Sequence, residues 1–317
     1  MKLTACDLCQ NDQFEPLAKT DRHGNLLNTV ICSNCGLVRH ADVPTEEDLD
    51  KFYSGRYREE YNGEKTPGPR RVMRAWRNGE RICQQISSAL PAGAKVLEVG
   101  AGIGCTVKVF EKAGFDSQGI DPGSEFLKYS RDSLHANVSI GSLEDLSQNQ
   151  DFDAVLLIHV IEHLRSPVTA LKHIAGLLKP DGVFYVECPN LQAPFASRGR
   201  LFHYAHIHNY VPETLRQTGE VSGFKLQQRF GDDRDPNLQM LFRKSAEVTA
   251  TAAPENVQQT LNDLHKADFL PYHLRARYIS DRIRQVSSYI EEYRKAEGFV
   301  KDLVQNCSAT KLESRAA

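Results

Sequence analysis

No apolar run in the 317-residue sequence is long enough to cross a membrane, and the N-terminus, "MKLTACDLCQ", lacks the apolar core of a secretion signal. The expectation is a protein without membrane insertion that stays in the cytoplasm, where its eight cysteines are kept reduced. A charge excess is equally absent. With 39 basic and 41 acidic residues the formal net charge is −2, so no global field draws in nucleic acid or an anionic membrane surface. Internal repeats and low-complexity tracts are missing as well. What remains is a chain long enough for one full α/β domain with accessory pieces around a sizeable core.

The sequence divides into four stretches. Residues 1–44 hold two cysteine pairs and read as a zinc-binding module; 45–90 are helical and basic, a linker or cap interrupted by the turn-rich "NGEKTPGPRR". From 91 to 245, β-branched runs alternate with helical stretches, the signature of a parallel α/β sheet. Residues 246–317 form a helical C-terminal extension.

The stretch "VLEVGAGIG" is an apolar strand, an acidic residue and then Gly100, Gly102 and Gly104 at every second position. A strand feeding a glycine turn and a helix is the generic nucleotide-binding unit, in which bare backbone meets the ligand at the carboxyl edge of the sheet. A pyrophosphate site wants GxGxxG, and here the third glycine is displaced by one. Glu98 would repel a pyrophosphate but suits an ammonium. The bland alternative, a glycine loop that merely tightens the connection, leaves Glu98 and Asp121 unexplained as carboxylates at two strand ends.

At these residues the sequence resembles the class I S-adenosylmethionine-dependent methyltransferases, whose first motif has the form of "EVGAGIG". The likeness continues through "SQGIDPG", "VSIGSLEDL", "FDAVLLIHVIEHL", "LLKPDGVFYVECPN", "GFKLQQRF" and "NLQMLFRK", spanning about residues 90 to 245. It implies a Rossmann-like α/β sheet, parallel with an antiparallel last strand. It also implies S-adenosylmethionine held by Glu98, Gly100, Ala101, Gly102 and Asp121, with Ser142 and Leu143 at the adenine and His159 near the methyl. Where the family often has an acidic residue for the adenine amine, this chain has Ser142, Leu143 and Glu144.

"CDLC" and "CSNC" place Cys6, Cys9, Cys32 and Cys35 as two CxxC knuckles with 22 residues between them. Four thiolates at this spacing make a closed tetrahedral site, the form structural zinc prefers, and a segment so short gains folding energy from the ion. Iron in a rubredoxin-like site is the rival; thioredoxin-like chemistry lacks its helix context. Cys83, Cys105, Cys188 and Cys307 are scattered and read as ordinary buried thiols. "CSNCGLVRHADVPTEEDLDKFYSGRY" resembles the N-terminal zinc module of a methyltransferase subgroup that includes sugar C-methyltransferases and proteins of surface-polysaccharide assembly. In that group the module covers the acceptor pocket. Zinc ribbons also bind nucleic acid, but Asp7, Asp12, Glu15, Asp21 and Asp42 against few lysines oppose a phosphate-tracking surface.

An alcohol acceptor needs a general base, usually histidine. His159 ends the fourth strand with Glu162 and His163 just after it, and "FHYAHIHNYVPETL" contains His203, Tyr204, His206 and His208. In the sugar methyltransferases this last segment commonly reads Glu-His, and here Ala205 replaces the Glu, which favours an oxygen acceptor over carbon. His206, His159 and His208 are the candidate catalytic residues. His206 and His208 also admit two other readings, a divalent metal site formed from one strand face and plain structural histidines, while "IEHL" reads as a pair that holds the strand-to-helix turn.

Arg70, Arg74, Arg77 and Arg81 share one helical face, read either as solvated or as recognising an acidic acceptor. Tyr53, Tyr57 and Tyr61 are spaced by four, as packing or as a sugar platform. Near the C-terminus Ile279, Ile283, Val286, Ile290 and Tyr293 follow a heptad seam that must be covered by the catalytic domain or by a second copy, giving a homodimer; such helices also dock on glycosyltransferases. The resulting expectation is a cytoplasmic methyltransferase acting on an oxygen of a sugar or glycan precursor. A sugar C-methyltransferase and a non-catalytic cofactor-binding scaffold are the alternatives.

Overall fold

The computed structural model describes residues 4–51, 66–193, 196–246 and 255–316. Along the chain run β1 (Phe14–Thr20), β2 (Leu26–Cys32), β3 (Val38–His40), α1 (Pro69–Ile86), β4 (Lys95–Val99), α2 (Cys105–Lys112), β5 (Asp116–Asp121) and β6 (Val138–Ile140). They are followed by β7 (Phe152–Ile158), α3 (Pro167–Leu177), β8 (Leu178–Pro189), β9 (His208–Asn209), α4 (Pro212–Val221), β10 (Phe224–Phe230), β11 (Asn237–Lys244), α5 (Glu255–Lys266) and α6 (Tyr278–Ala316). Hydrogen bonding orders the strands β1-β2-β3-β9 in one sheet and β10-β11-β8-β7-β4-β5-β6 in another. In the larger sheet β4, β5 and β6 are parallel, while β11 runs antiparallel to both β8 and β10. This is the Rossmann-like arrangement expected, with its order reversing at β4, where open α/β sheets bind ligands. Among the described residues no helix is long and apolar enough to cross a membrane.

The chain clusters into two compact units. The first gathers Met1–Glu46, Gln148–Gln150 and Leu157–Tyr278. Its small sheet joins the N-terminal strands to a later one, Val38 pairing with Asn209 and Arg39 with His208. Ile31 and Val38 pack with Leu191, Leu201, Phe202, Val211 and Leu264, so the cysteine-bearing strands share a core with chain more than 150 residues away. Asp7, inside the first CxxC, accepts hydrogen bonds from Ser166 Oγ and the Val168 N–H, both at 2.7 Å. That caps α3, whose N-cap Ser166 makes no cap of its own. Pro167 sets the start of this helix, so "IEHL" lies in a separate 3-10 turn (Ile161–His163) rather than on the helix.

The second unit gathers Glu47–Ser147, Asp151–Leu156 and Ile279–Ala317. Val72, Met73, Trp76, Ile82 and Ile86 line the buried face of α1. Gly79 brings that helix close to α2, since a Cβ there would stand 3.0 Å from Thr106 Cα. The arginine stripe has a partner that the sequence did not name. Arg74 Nε donates to Glu292 at 2.8 Å, Arg70 and Arg74 lie over the Tyr289 ring, and Arg77 lies over Phe299. Arg70, Arg74 and Arg77 therefore contact α6, while Arg74 and Arg77 stay exposed, as a solvated face would, and Arg81 bonds Asn78 and Gln85 of its own helix.

The heptad seam is not covered by the described residues of its own chain. Ile279, Ile283, Val286, Ile290 and Tyr293 stay 55–76 % exposed among the described residues, while Ala296, Leu303 and Cys307 are the buried ones. At 3.6 residues per turn these residues fall on a second stripe, shared with the arginine-bound Tyr289 and Glu292 and about 100° from the seam. Tyr53, Tyr57 and Tyr61 lie outside the described residues.

Candidate functional sites: a glycine turn, a thiol cluster and a buried carboxylate

The glycine turn belongs to the second unit. Val96 and Leu97 are fully buried and Glu98 is 5 % exposed, as befits a strand covered on both faces. Burial, and less strongly the Asp121 charge, push the Glu98 carboxyl up to about 8, opposed by hydrogen bonds from Thr106 and the Val107 N–H. Its Oε2 has no hydrogen-bond partner among the described residues. A buried carboxyl with one idle oxygen is a receptor for a cation that draws it into the ionised form.

Gly100, Gly102 and Gly104 all have positive φ, of 78°, 49° and 75°. At Gly102 a Cβ would meet nothing within 4 Å, so the space over the turn is open. Gly104 serves otherwise: its added Cβ would fall 2.0 Å from Ser130 Oγ, which explains the displaced third glycine as a packing contact. Asp121 accepts the Gly102 N–H at 3.0 Å on one oxygen and the Gly123 N–H at 2.7 Å on the other. Gly119, which the sequence did not single out, lets the turn lie flat on β5, because a Cβ there would be 2.6 Å from that of Ala101. Ser142 N and Oγ bond the Asp145 carboxylate at 2.8 and 3.0 Å, closing a capping box, and Leu143 is buried. Asp145, one residue beyond Glu144, is thus taken up by its own turn.

In the first unit the Sγ atoms of Cys6, Cys9, Cys32 and Cys35 lie within 4.8 Å of one another. Cys6 and Cys35 are 3.6 Å apart and Cys9 and Cys32 are 3.5 Å apart. A tetrahedral ion with bonds of about 2.3 Å sets sulfurs about 3.8 Å apart, so the donor set and its spacing fit zinc. Each knuckle closes alike, the Gln10 N–H bonding Cys6 O at 2.8 Å and the Gly36 N–H bonding Cys32 O at 3.0 Å. The other four cysteines are buried free thiols, as expected.

The third site, also in the first unit, follows β7. His159 takes a left-handed backbone, φ 56°, uncommon for a residue with a Cβ, and its N–H bonds Glu187 O at 2.8 Å. Its ring stands between two buried carboxylates, Nδ1 3.4 Å from Glu162 Oε1 and Nε2 3.9 Å from Glu187 Oε1. The imidazole itself is 42 % exposed and the carboxylates are 2 % and 1 % exposed. Tyr185 and Asn237 hold Glu187 by hydrogen bonds of 3.2 and 2.9 Å. Burial alone would raise Glu162, but the adjacent His159 ring and the charge of His163 bring it below the ordinary carboxylate range.

His206 and His208 do not share a strand face. The His206 N–H closes a turn onto His203 O at 3.0 Å, and β9 begins only at His208. The His206 ring therefore faces Glu162, Nε2 to Oε1 3.9 Å, while His208 Nδ1 bonds Leu164 O at 3.1 Å. Burial, then the charges of His163, His203 and His159, hold the His206 imidazole neutral and far below its ordinary pKa; burial, then Arg39 and His40, lower His208 to about 3. Glu162, His206 and His208 also line one cavity with Asn190, Leu191 and Asn209. Glu187 is the member that sequence reasoning missed; a lone carboxylate inside the apolar run "VFYVECP" was the available signal.

A family model described as a methyltransferase domain matches residues 72–229. The ubiquinone biosynthesis O-methyltransferase of Xanthomonas axonopodis pv. citri (strain 306) is 34% identical over 131 residues, 39% of this chain and 54% of that protein. The enzyme of the same name from Actinobacillus pleuropneumoniae serotype 5b (strain L20) is 34% identical over 109 residues, 31% of this chain and 47% of that protein. The chain thus spans about half the length of the curated relatives it matches. Among solved structures, the 1,6-didemethyltoxoflavin-N1-methyltransferase of Burkholderia thailandensis, with bound 1,6-didemethyltoxoflavin and S-adenosylhomocysteine, shares the fold. Its TM-score is 0.50 at 19% identity, over 73% of this chain and 99% of that one. The curated relatives are named for ubiquinone biosynthesis, which overturns the sugar acceptor expected from the sequence, for oxygen and carbon alike. The reading as a scaffold without turnover falls with the family match.

Proposed function

Because the chain carries a domain of the S-adenosylmethionine-dependent methyltransferase family over residues 72–229, we propose that it methylates an acidic hydroxyl, of the phenol or catechol class. The observation that carries this reading is the His159 ring held between the buried carboxylates of Glu162 and Glu187. An imidazole of ordinary pKa near 6.5 faces a far smaller gap to a phenol of pKa about 10 than to an aliphatic alcohol, so the phenol is the easier acceptor to deprotonate as the methyl transfers. The O-methyltransferase names of the curated relatives agree with an oxygen acceptor.

S-adenosylmethionine, when bound, supplies a methyl activated on sulfonium. Glu98 holds the ammonium, the open turn at Gly100, Ala101 and Gly102 admits the cofactor against bare backbone, and Asp121 takes the ribose hydroxyls. His159 accepts the acceptor's proton, and Glu162 and Glu187 stabilise the imidazolium that forms. His206, neutral and weakly basic, is not the base in this reading. The four thiolates hold structural zinc, which fixes Asp7 on the α3 N-terminus and β3 on β9.

The test is a series of phenols of graded acidity assayed with wild type, His159→Gln and Glu162→Gln. His159→Gln is expected to lose 10²–10⁴-fold in kcat, with the least acidic phenols hit hardest and cofactor affinity unchanged. An equal loss across the series, or none, would remove His159 from the proton transfer.

A further inference from the structure

Glu162 is 1 % exposed, and neither of its carboxylate oxygens has a hydrogen-bond partner among the described residues. A buried carboxylate in that condition is costly unless a cation meets it. Two imidazoles converge on it. His163 Nδ1 is 2.7 Å from the Ala205 carbonyl oxygen, which can only accept, so Nδ1 carries the hydrogen. In the neutral ring that leaves a lone pair on Nε2, 3.9 Å from Glu162 Oε1. His206 Nε2 stands 3.9 Å from the same oxygen, and the two rings meet edge-on with centroids 5.0 Å apart. One donor atom from each of the three residues lies within 4.8 Å of the others. Such separations are too long for hydrogen bonds. They exceed the edge of a tetrahedral ion with N and O ligands, about 3.4 Å, by an amount that small side-chain torsions close.

We propose that Glu162, His163 and His206 form a second metal site, distinct from the four thiols, which takes a divalent transition ion of the zinc class. Two imidazoles and a carboxylate suit zinc or iron rather than magnesium, which prefers oxygen ligands and keeps its waters. The Ala205 carbonyl on the far nitrogen of His163 is the outer-shell contact that fixes a metal-ligating ring in one tautomer. Three protein ligands leave a fourth position open, in contrast to the closed thiol site, and His159, nearest to the same Glu162 oxygen at 3.4 Å, is the partly exposed neighbour of that position. A hydroxyl bound there becomes more acidic, so the site would deepen the O-methylation reading. Its occupancy does not depend on that reading.

Cobalt(II), added to the metal-free full-length protein, reads the two sites apart. The thiol site gives an intense thiolate-to-cobalt band in the near ultraviolet, and the second gives only a weak visible band. Wild type is expected to bind two equivalents. Glu162→Gln and His206→Gln are each expected to weaken the second at least tenfold and to leave the thiolate band, which also reports a folded module, unchanged. A wild-type stoichiometry of one, confined to the thiolate band, would overturn the proposal whatever the variants do. So would a second equivalent that both variants retain. Two ions bound without turnover on any phenol would sink the acceptor reading alone.

Discussion

In the cofactor-free protein the Glu98 carboxyl lies at about 8, pushed there by burial, yet its proposed partner, an ammonium, needs the carboxylate. Cofactor binding must therefore expel a proton. With a pKa of about 8 the group is about nine-tenths protonated at pH 7, so binding of S-adenosylhomocysteine should release about 0.9 proton there. Ionising Glu98 costs about 1.4 kcal/mol at pH 7 and about twice that at pH 6, so affinity should rise tenfold per pH unit and level off near pH 8. Glu98→Gln has no proton to lose. At pH 8 it should bind more weakly by the roughly 1.5–3 kcal/mol of a charged hydrogen bond, and the gap should nearly close at pH 6. The same shift acts on stability. A carboxyl raised from 4.5 stabilises the fold fully below pH 4.5 and loses that contribution as the pH rises towards 8, about 3 kcal/mol by pH 7. The cofactor-free variant should then be the more stable protein at neutral pH. Calorimetry in two buffers of unlike ionisation enthalpy counts the proton. A flat pH profile with no proton released by wild type would refute the reasoning.

Three further outcomes are expected. Asp7→Ala removes both hydrogen bonds to the start of α3 and should cost about 1–2 kcal/mol in urea unfolding; an unchanged midpoint would mean the cap contributes nothing. Gly119→Val drives a side chain into Ala101 and Val107, 2.6 and 2.8 Å from the new Cβ, and should cost about 1–3 kcal/mol with a larger loss in cofactor affinity than in stability. On α6, Val286→Asp at a position 56 % exposed should change stability by less than about 0.5 kcal/mol. Ala296→Asp, at 1 % exposed, should lower the thermal midpoint clearly, since it buries an unpaired charge. Equal effects on the two faces would show that the seam is covered in solution.

The cofactor turn was legible because its chemistry is local. Strand, acid and glycines are adjacent in sequence, and Asp121 ends the next parallel strand, so the topology of the fold carries both to one end of the sheet. The thiol cluster was legible for the same reason, since knuckle spacing restricts the ligands before any tertiary contact forms. The histidine cluster was not. Glu162 looked like half of a turn-holding pair with His163, and only the fold brings the ring of His206 against it across more than 40 residues of chain. The strand-face reading of His206 and His208 failed because the turn onto His203 rotates His206 out of β9. Periodicity read only one side of α6. Its seam is a true heptad, but two apolar stripes share the helix, and Glu292 chose which one packs by pairing with Arg70 and Arg74.

The account's central claim is methyl transfer from S-adenosylmethionine to a hydroxyl oxygen. It is tested most directly by incubating the protein with labelled cofactor and a panel of phenols, catechols, amines and aliphatic alcohols, then assigning the linkage of each labelled product by mass spectrometry. Label on the oxygen of a phenol or catechol, with none on the alcohols, is the outcome the account requires. Label on nitrogen or carbon alone, or cofactor bound with no transfer to any hydroxyl, would contradict it.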